Sequence, residues 1–440
     1  MNRGTRRPSP PGRDETAEGS RVENSVLISQ PVHAHAYETV VAAQEAGVLN
    51  RFVTGMYRTG RDLSSPRLLG VLPQSLRVSV DNRQRRRWHP EIDPAKVSTL
   101  PMYHLISLAA KTKVPAWDLE GWAHERFDAT VARRLPSYPG VGLVHAWEGA
   151  ARATFDAAKA LGVGRILDVA GAFERNSQVI VEEGGNLPPD DLTVRVQQER
   201  KGADYIFVPS QFVVECLVEN GVEPDRIVLI PYGADTTRFQ PLAHAVDRPF
   251  RCLFVGLIGF RKGIRYLLDA WRELDLPDAE LVLVGAAGPH GEDLLRERDP
   301  SVRWVGQVPF YEVHRWFQES DVFLFPSLSE GSAMVTYQAM AAGLPVVTTL
   351  NSGSVVRDGV DGFIVPPRDP VTLAARIRYL QLNPEERSEM GRAGRRRISE
   401  TFTWGHYRRR IGAAYQAILA GQDPHAAVAP LLASPDSVTE

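Results

Sequence analysis

Short apolar runs alternate with helix-like segments along most of the chain, and this rhythm limits the fold more than any other feature. In the first half the clearest runs are 142–146, 165–169, 204–208 and 226–230. In the second half they are 250–255, 280–284, 302–305, 322–325, 345–348 and 362–365. Fully apolar runs separated by helices are typical of parallel strands that helices cover on both faces. The sequence therefore predicts an α/β chain with doubly wound sheets.

A turn-rich stretch from Pro231 to Pro241 divides this alternation into two halves. A chain of 440 residues is too long for one ordinary core and suits two domains. We expect a disordered segment 1–22, a Rossmann-like domain 23–242, a second Rossmann-like domain 243–402, a helix 403–420 that could pack back on the first domain, and a disordered tail 421–440.

Composition argues against several classes of function. The net charge of -2 gives no overall attraction to nucleic acid. The cysteines, Cys216 and Cys252, have no metal-ligand neighbour at short spacing, so neither a disulfide framework nor a zinc site is expected. The sequence contains no run of about 18 apolar residues, so we expect no membrane-spanning helix. We therefore expect a cytoplasmic protein with neither a metal nor a bound cofactor.

The most informative segment runs from Phe323 to Val347. An apolar strand ends at Pro326, a polar loop presents Glu330, and a helix begins near Ser332. The free amides at a helix N-terminus bind phosphate well. Glu330 could therefore hold the hydroxyls of a ligand whose phosphate lies on those amides. A plain capping role explains the acid equally well from spacing alone.

A second segment combines glycines with cations. The strand 250–255 leads to Gly256 and Gly259, and then Arg261 and Lys262 precede a helix. Cations at a helix start oppose the local dipole, which indicates an anionic ligand. A solvated basic pair is the alternative. The glycine spacing is not a dinucleotide-binding fingerprint.

Together these segments resemble the retaining glycosyltransferases of family 4, also called group 1. Members of that family carry Pro-Ser, Glu-Gly, a helix with Glu-Ala-Met, and Gly-x-Pro-Val in this order. The corresponding segments here are Pro326-Ser327, Glu330-Gly331, Gln338-Ala339-Met340 and Gly343-Leu344-Pro345-Val346. The resemblance implies the GT-B fold, in which two Rossmann-like domains face each other across a cleft. It also implies transfer of a sugar from a nucleoside diphosphate donor with retention of configuration.

The resemblance further implies roles for individual residues. Glu330 would be catalytic and contact the transferred sugar, while Arg261 and Lys262 would bind the diphosphate. The remaining implied donor-binding residues are Gly256, Gly259, Val308, Gly331, Ser332, Ala333, Met334 and Gln338.

Three positions depart from the family pattern. Leu257 stands where an arginine is usual directly after the first glycine, and Arg261 is its expected substitute. Gln338 stands where a ribose-binding glutamate is usual, and Phe173 stands near the place of an active-site histidine. The departures leave open a protein that binds nucleotide sugar without turnover. A related nucleotide-sugar enzyme, such as an epimerase, is a third reading.

The first half should select the acceptor, which could be a saccharide, a lipid or a small molecule. His33, His35, Trp147 and Glu148 follow strands and are acceptor-side candidates; His145 could replace the missing catalytic histidine. Packing at strand ends explains these residues equally well. The basic run 83–88 fits either a solvated surface or peripheral contact with an anionic membrane.

Overall fold

A computed structural model describes residues 24–31, 36–57, 87–101, 103, 116–184, 187–188, 190–242, 248–276, 278–288, 290–296 and 298–433. The predicted disorder of 1–22 lies outside these residues. His33, His35 and most of the basic run 83–88 lie outside them as well.

Within the described residues, a parallel sheet of seven strands organises the N-terminal half, in the order β3-β2-β1-β4-β5-β6-β7. The strands are β1 (Ser25–Gln30), β2 (Leu49–Thr54), β3 (Val97–Thr99), β4 (Val141–Trp147), β5 (Gly164–Asp168), β6 (Tyr205–Val208) and β7 (Ile227–Leu229). The helices are α1 (Ala36–Glu45), α2 (Ala116–Arg134), α3 (Arg152–Ala160), α4 (Phe173–Glu182), α5 (Asp190–Gly202) and α6 (Gln211–Glu219). The centre of β1 is fully buried because elements cover both faces of the sheet.

A second parallel sheet, with six strands among the described residues, organises the C-terminal half in the order β10-β9-β8-β11-β12-β13. The strands are β8 (Phe250–Val255), β9 (Ala279–Val284), β10 (Val302–Gly306), β11 (Val322–Phe325), β12 (Val346–Thr348) and β13 (Gly362–Ile364). The helices that accompany them are α7 (Ile264–Leu274), α8 (Gly291–Arg296), α9 (Val313–Gln318), α10 (Met334–Ala341), α11 (Pro370–Leu382) and α12 (Pro384–Thr401). The predicted pair of doubly wound sheets is confirmed.

The strand order of each sheet reverses direction at one place. The reversal lies between β1 and β4 in the N-terminal sheet, and between β8 and β11 in the C-terminal sheet. Loops that follow the two central strands diverge there and leave a crevice, which is where open α/β sheets bind ligands. The fold therefore offers two candidate sites, one for each sheet.

The last helices of the chain return to the N-terminal half. Helix α13 (Trp404–Leu419) packs against α1. The hydroxyls of Tyr407 and Thr39 are 2.7 Å apart, and Arg408 forms an ion pair with Glu38 across the same contact. The end of the chain thus forms part of the N-terminal core.

The expectation of a disordered tail is wrong for residues 421–433. Helix α14 (Pro424–Val428) is followed by a short helical turn, Ala429–Leu431. Val428 is buried and packs in the same core, and Arg410 donates to the carbonyl oxygen of Leu431 at 3.0 Å. These contacts order a segment whose own composition carried no such signal.

Candidate functional site

Two loops meet at the switch point of the C-terminal sheet, one after β8 and one after β11. Gly263 ends the first loop with a φ of +69°, and a Cβ there would lie 2.0 Å from the carbonyl oxygen of Pro326. Only glycine permits so close an approach. The carbonyl oxygen of Arg261 accepts bonds from the Leu328 amide at 2.9 Å and from the Ser327 hydroxyl at 3.1 Å. The backbone therefore fixes the two loops against each other.

This loop pair brings together the three charged side chains singled out from the sequence. Arg261 Nη1 donates to Glu330 Oε1 at 2.7 Å and to the Ser329 carbonyl oxygen at 2.8 Å. Lys262 Nζ donates to the same oxygen of Glu330. The exposed fraction is 35% for the Arg261 side chain and 14% for those of Lys262 and Glu330. Two cations share one carboxylate, so this charged cluster keeps an excess of positive charge.

Burial has a measurable consequence for Lys262. Burial lowers the pKa of its ammonium group, Glu330 partly offsets this effect, and the neighbouring Arg261 lowers the pKa further. The ammonium lies 5.3 Å from the centre of the Phe325 ring. A partly desolvated cation beside another cation is stabilised by any anion that enters. The cluster is therefore suited to an anionic ligand.

The N-terminus of α10 lies next to this charged cluster. The Glu330 amide donates to Asn351 O at 2.8 Å, and the Ala333 amide donates to Ser352 O at 2.9 Å. The Ala333 amide is therefore not available to a ligand here, contrary to the role that the resemblance implied. The amides of Met334 and Val335 donate to no carbonyl among the described residues. The amides of Gly331 and Ser332 likewise donate to no carbonyl there, so all four are donors that an anion could use.

The other implied residues surround these groups. Ser332 Oγ lies 3.0 Å from Tyr337 Oη and donates to Gly353 O at 2.9 Å, so its side chain supports the loop. Gln338 lies one turn after Met334 on the same side of α10 and is partly exposed. Three further residues lie at the ends of strands or in the loops after them: Gly256, Gly259 and Val308.

The Glu330 loop touches the N-terminal half directly. A Cβ at Gly331 would lie 1.6 Å from the carbonyl oxygen of Ala170, in the loop after β5. The Ser210 hydroxyl donates to the Gly331 carbonyl oxygen from the same side. Glu330 therefore stands at the contact between the two halves.

The segment that carries this geometry matches a known family. Residues 249–383 match the family described as glycosyl transferases, group 1. These residues therefore resemble a domain of the group 1 glycosyltransferases. The predicted resemblance to this family is thereby confirmed.

Similar proteins include other members of this group whose activities are known by name. The D-inositol 3-phosphate glycosyltransferase of Corynebacterium kroppenstedtii is 29% identical over 58% of this chain and 61% of its own length. The protein of the same name from Geodermatophilus obscurus is 31% identical over 53% and 57%. The MMP alpha-(1->4)-mannosyltransferase of Mycolicibacterium hassiacum is 29% identical over 50% and 56%. The chain thus matches less than two thirds of the length of each relative.

Solved structures resemble the whole fold. Sucrose-phosphate synthase from Thermosynechococcus elongatus has a TM-score of 0.64 at 20% identity, over 90% of this chain and 100% of that chain. HepE of Anabaena in complex with UDP-glucose has a TM-score of 0.59 at 16% identity, over 88% and 98%. The predicted GT-B fold is confirmed.

The switch point of the N-terminal half has a different structure. His145, on β4, is 0% exposed. Its Nδ1 lies 2.6 Å from Tyr415 Oη of α13, its Nε2 lies 3.4 Å from Asp168 Oδ2, and its ring stacks on Trp147. In this structure His145 and Trp147 belong to the core and do not line the cleft. The catalytic role suggested for His145 finds no geometric support, because a substrate cannot reach the ring.

Glu148 is the acceptor-side candidate that reaches a cavity. Arg200 Nε donates to Glu148 Oε1 at 2.7 Å, and Arg200 Nη1 contacts Glu174 Oε1 at 2.5 Å. Burial raises the pKa of Glu148, and Arg200 partly offsets this effect. Only one oxygen of Glu148 has a partner among the described residues, so the other can accept a hydrogen bond from a ligand.

Sequence reasoning missed the cavity itself. A cavity of about 660 Å³ lies between α2, α4 and α5. Its lining includes Glu148, Phe173 and, from the glycosyltransferase domain, Arg261. One signal was available in the sequence. Phe173, Ser177 and Ile180 are spaced so that they share one face of α4, and this face lines the cavity.

Metal-binding and membrane-spanning features are not found in the part of the chain that the structure describes. Those residues contain no group of three or more His, Cys, Asp or Glu side chains arranged to hold a metal ion. None of their helices combines the length and the apolar character needed to cross a membrane.

Proposed function

We propose that this protein transfers a sugar from a nucleoside diphosphate sugar to an acceptor hydroxyl, with retention at the anomeric carbon. One observation carries the proposal. Arg261 and Lys262 share a single carboxylate at a sheet switch point, beside the free amides of Met334 and Val335. This arrangement places preorganised positive charge where a diphosphate would depart, and such charge often supplies most of an enzyme's rate acceleration.

Glu330 has a second role in the proposed reaction. Without a donor, its carboxylate pairs with both cations. The more highly charged diphosphate would compete for those cations and free the carboxylate. Glu330 would then accept hydrogen bonds from hydroxyls of the donor sugar. Charge-assisted bonds of this kind are roughly twice as strong as neutral ones.

The bonds broken and formed in the proposed transfer step balance. The bond between the anomeric carbon and the diphosphate oxygen breaks, and its electrons leave with the nucleoside diphosphate. The acceptor oxygen bonds to the anomeric carbon on the same face. The acceptor proton passes to the departing diphosphate. Arg261 and Lys262 stabilise the charge that develops on that leaving group, so we propose that the step needs neither a metal nor a further cofactor.

The similar proteins support the donor class. One of the related structures is a complex with UDP-glucose, and several similar proteins are named as glycosyltransferases. The family resemblance supports retention. A cytoplasmic location and peripheral contact with a membrane through the run 83–88 stay predictions, because the structure describes only Arg87 and Trp88 of that run.

A donor screen followed by product analysis tests the proposal. The purified chain is mixed with UDP-, GDP- and ADP-sugars, and stabilisation by a ligand is read from the rise in Tm. The best donor is then used in a transfer assay, with EDTA present in a parallel sample. We expect an α-linked product from an α-linked donor, and no effect of EDTA. An inverted product would contradict retention, and tight donor binding without turnover would favour a binding protein.

A further inference from the structure

The interdomain cavity has largely apolar walls on the N-terminal side. Its apolar lining residues come from three helices and the chain before α5: Trp122, Phe173, Ile180, Pro188, Leu192 and Val196. Trp122 is 41% exposed, and Phe173, Ile180 and Leu192 are partly exposed. The volume of about 660 Å³ is typical of sites that enclose most of a small ligand. A ligand with an apolar body would cover this surface.

Two polar side chains in the cavity lining have oxygens that lack hydrogen-bond donors. Glu148 lines the cavity, and one of its carboxylate oxygens has no hydrogen-bond partner among the described residues. Asn176 lines the cavity as well, and its amide oxygen has no partner there either. Carboxylate and amide oxygens can only accept, so these groups favour a ligand that brings hydroxyl hydrogens.

The charges around the cavity disfavour an anionic ligand. Among the described lining residues, acids are Glu125, Glu148 and Asp191. The two guanidinium groups already have carboxylate partners: Arg195 lies 3.4 Å from Glu125, and Arg261 lies 2.7 Å from Glu330. With the donor diphosphate on Arg261, as the proposed function requires, a second phosphate group in the cavity would meet these acids and one remaining cation, Arg195, whose partner is already Glu125.

The cavity connects to the transfer chemistry through one residue. Arg261 lines it, and Nη1 of the same side chain contacts Glu330. An occupant would therefore lie directly beside the proposed donor site. That position is the one an acceptor needs, because reacting atoms must come within about 3–3.5 Å of each other.

On the basis of the proposed function, we infer that the acceptor is an uncharged amphipathic alcohol. Its hydroxyl-bearing group lies toward Glu148 and Arg261, and its alkyl or aryl body lies along α2, α4 and α5. Several similar proteins have names that indicate phosphorylated sugars. This chain would differ from them in taking an acceptor without a phosphate group.

Three probes separate the chemical classes. Octyl β-D-glucoside below its micelle concentration carries hydroxyls and an apolar body, methyl β-D-glucoside lacks the body, and glucose 6-phosphate adds a charge. Binding to the full chain is measured by calorimetry with UDP present, and transfer is measured with the best donor. We expect octyl glucoside to bind at least about tenfold more tightly than the other two, since burial of its alkyl chain removes apolar surface from water.

A variant of the cavity wall links this preference to the cavity. Ile180→Asp places a charge among the apolar lining residues and should reduce the octyl preference to about threefold or less. Val218→Asp is the matched control, because Val218 is 41% exposed on α6 and does not line the cavity. UDP affinity should be the same in both variants and the parent. Asn176→Leu should weaken octyl glucoside binding, and Asn176→Asp, which keeps an acceptor oxygen, should restore it.

The outcomes distinguish the inference from the proposed function. Tighter binding or faster glycosylation of glucose 6-phosphate would overturn the inference and leave the proposed function standing. An unchanged octyl preference in Ile180→Asp would also overturn it. A clear octyl preference that Ile180→Asp removes, without turnover of any donor, would support the cavity assignment and count against the transferase.

Discussion

The two sheets share a strand order around their switch points but end in different chemistry. At the C-terminal switch point, Lys262 and Glu330 keep 14% of their side chains exposed, and Arg261 keeps 35%. At the N-terminal switch point, His145 is fully buried under Tyr415 of α13. One sheet therefore presents charge to the cleft, whereas the other has its central strand covered by the end of the chain.

This difference shows that topology offers a site without deciding its use. The side chains at the strand ends, and the elements that cover them, make the decision. In the N-terminal half the cavity lies between α2, α4 and α5 and not at the buried His145. Position in the fold alone would suggest His145 as the functional residue. His145 is buried and Glu148 lines the cavity, so the structure favours Glu148.

The largest effect is expected from removing the more buried cation of the C-terminal switch point, Lys262. Lys262→Met keeps the length of the side chain and removes its charge. We expect kcat/KM to fall by about 10²–10³, as for loss of one preorganised charge at a developing anion. Steady-state kinetics with the best donor measures this.

The control for that variant is Arg265→Ala, because Arg265 is an exposed cation on α7. Its kcat/KM should stay close to that of the parent. If Lys262→Met kept its UDP affinity and its rate, the C-terminal switch point would not be the donor site.

The contact between the two regions is tested at Gly331. A Cβ in Gly331→Ala would lie 1.6 Å from Ala170 O, so the halves must separate. We expect kcat to fall by about tenfold, since small misplacements of reacting groups cost up to about 10²-fold. Gly405→Ala is the control, because its nearest contact is an ordinary 3.6 Å. Equal kcat in both variants would show that this contact plays no part in turnover.

The buried state of the N-terminal switch point predicts an effect on stability rather than on rate. Tyr415→Phe removes the partner of His145 Nδ1, which lies 2.6 Å away. The free energy of unfolding should fall by about 1–3 kcal/mol, because a buried polar group loses its hydrogen bond. Urea unfolding measures the loss, and kcat should change little. A large loss of kcat in a fully folded variant would restore a catalytic role for His145.

The smallest expected effect concerns pH. Burial lowers the pKa of Lys262, so the free protein loses this proton below the usual lysine range, which is near pH 10.4. A bound diphosphate favours the charged form, so donor binding takes up a proton there. Donor affinity should fall as pH rises above the lowered pKa, and Lys262→Arg should flatten that fall. An identical pH profile for the two proteins would contradict the assignment.

The sequence predicted the C-terminal half closely because its signals are local. Strands β8 and β11 were predicted with their observed bounds, and the helix predicted after Arg261 and Lys262 begins at Ile264. Each is a continuous apolar run or an apolar face bounded by turn residues. The charged cluster followed from the same local pattern, because loops after neighbouring parallel strands meet at one edge of a sheet.

The N-terminal half resisted prediction because its order depends on distant partners. Helix α5 has few apolar residues, and it buries Arg195, Glu199 and Arg200. Glu199 accepts bonds from the amides of Gly149 and Ala151, 50 and 48 residues away. The burial of His145 depends on Tyr415, 270 residues later. A short window of sequence does not contain both residues of such a pair, so a local pattern cannot predict the contact.

The return of α13 to the first domain has a consequence for how the protein is made. Tyr407 and Tyr415 contribute buried side chains to a core that begins at β1. A ribosome delivers the chain from its N-terminus, so the first domain waits, incomplete, while the second is synthesised. It can close only once the final helices have emerged. A truncated translation product that has the C-terminal sheet but lacks these helices would therefore keep an unfinished N-terminal domain.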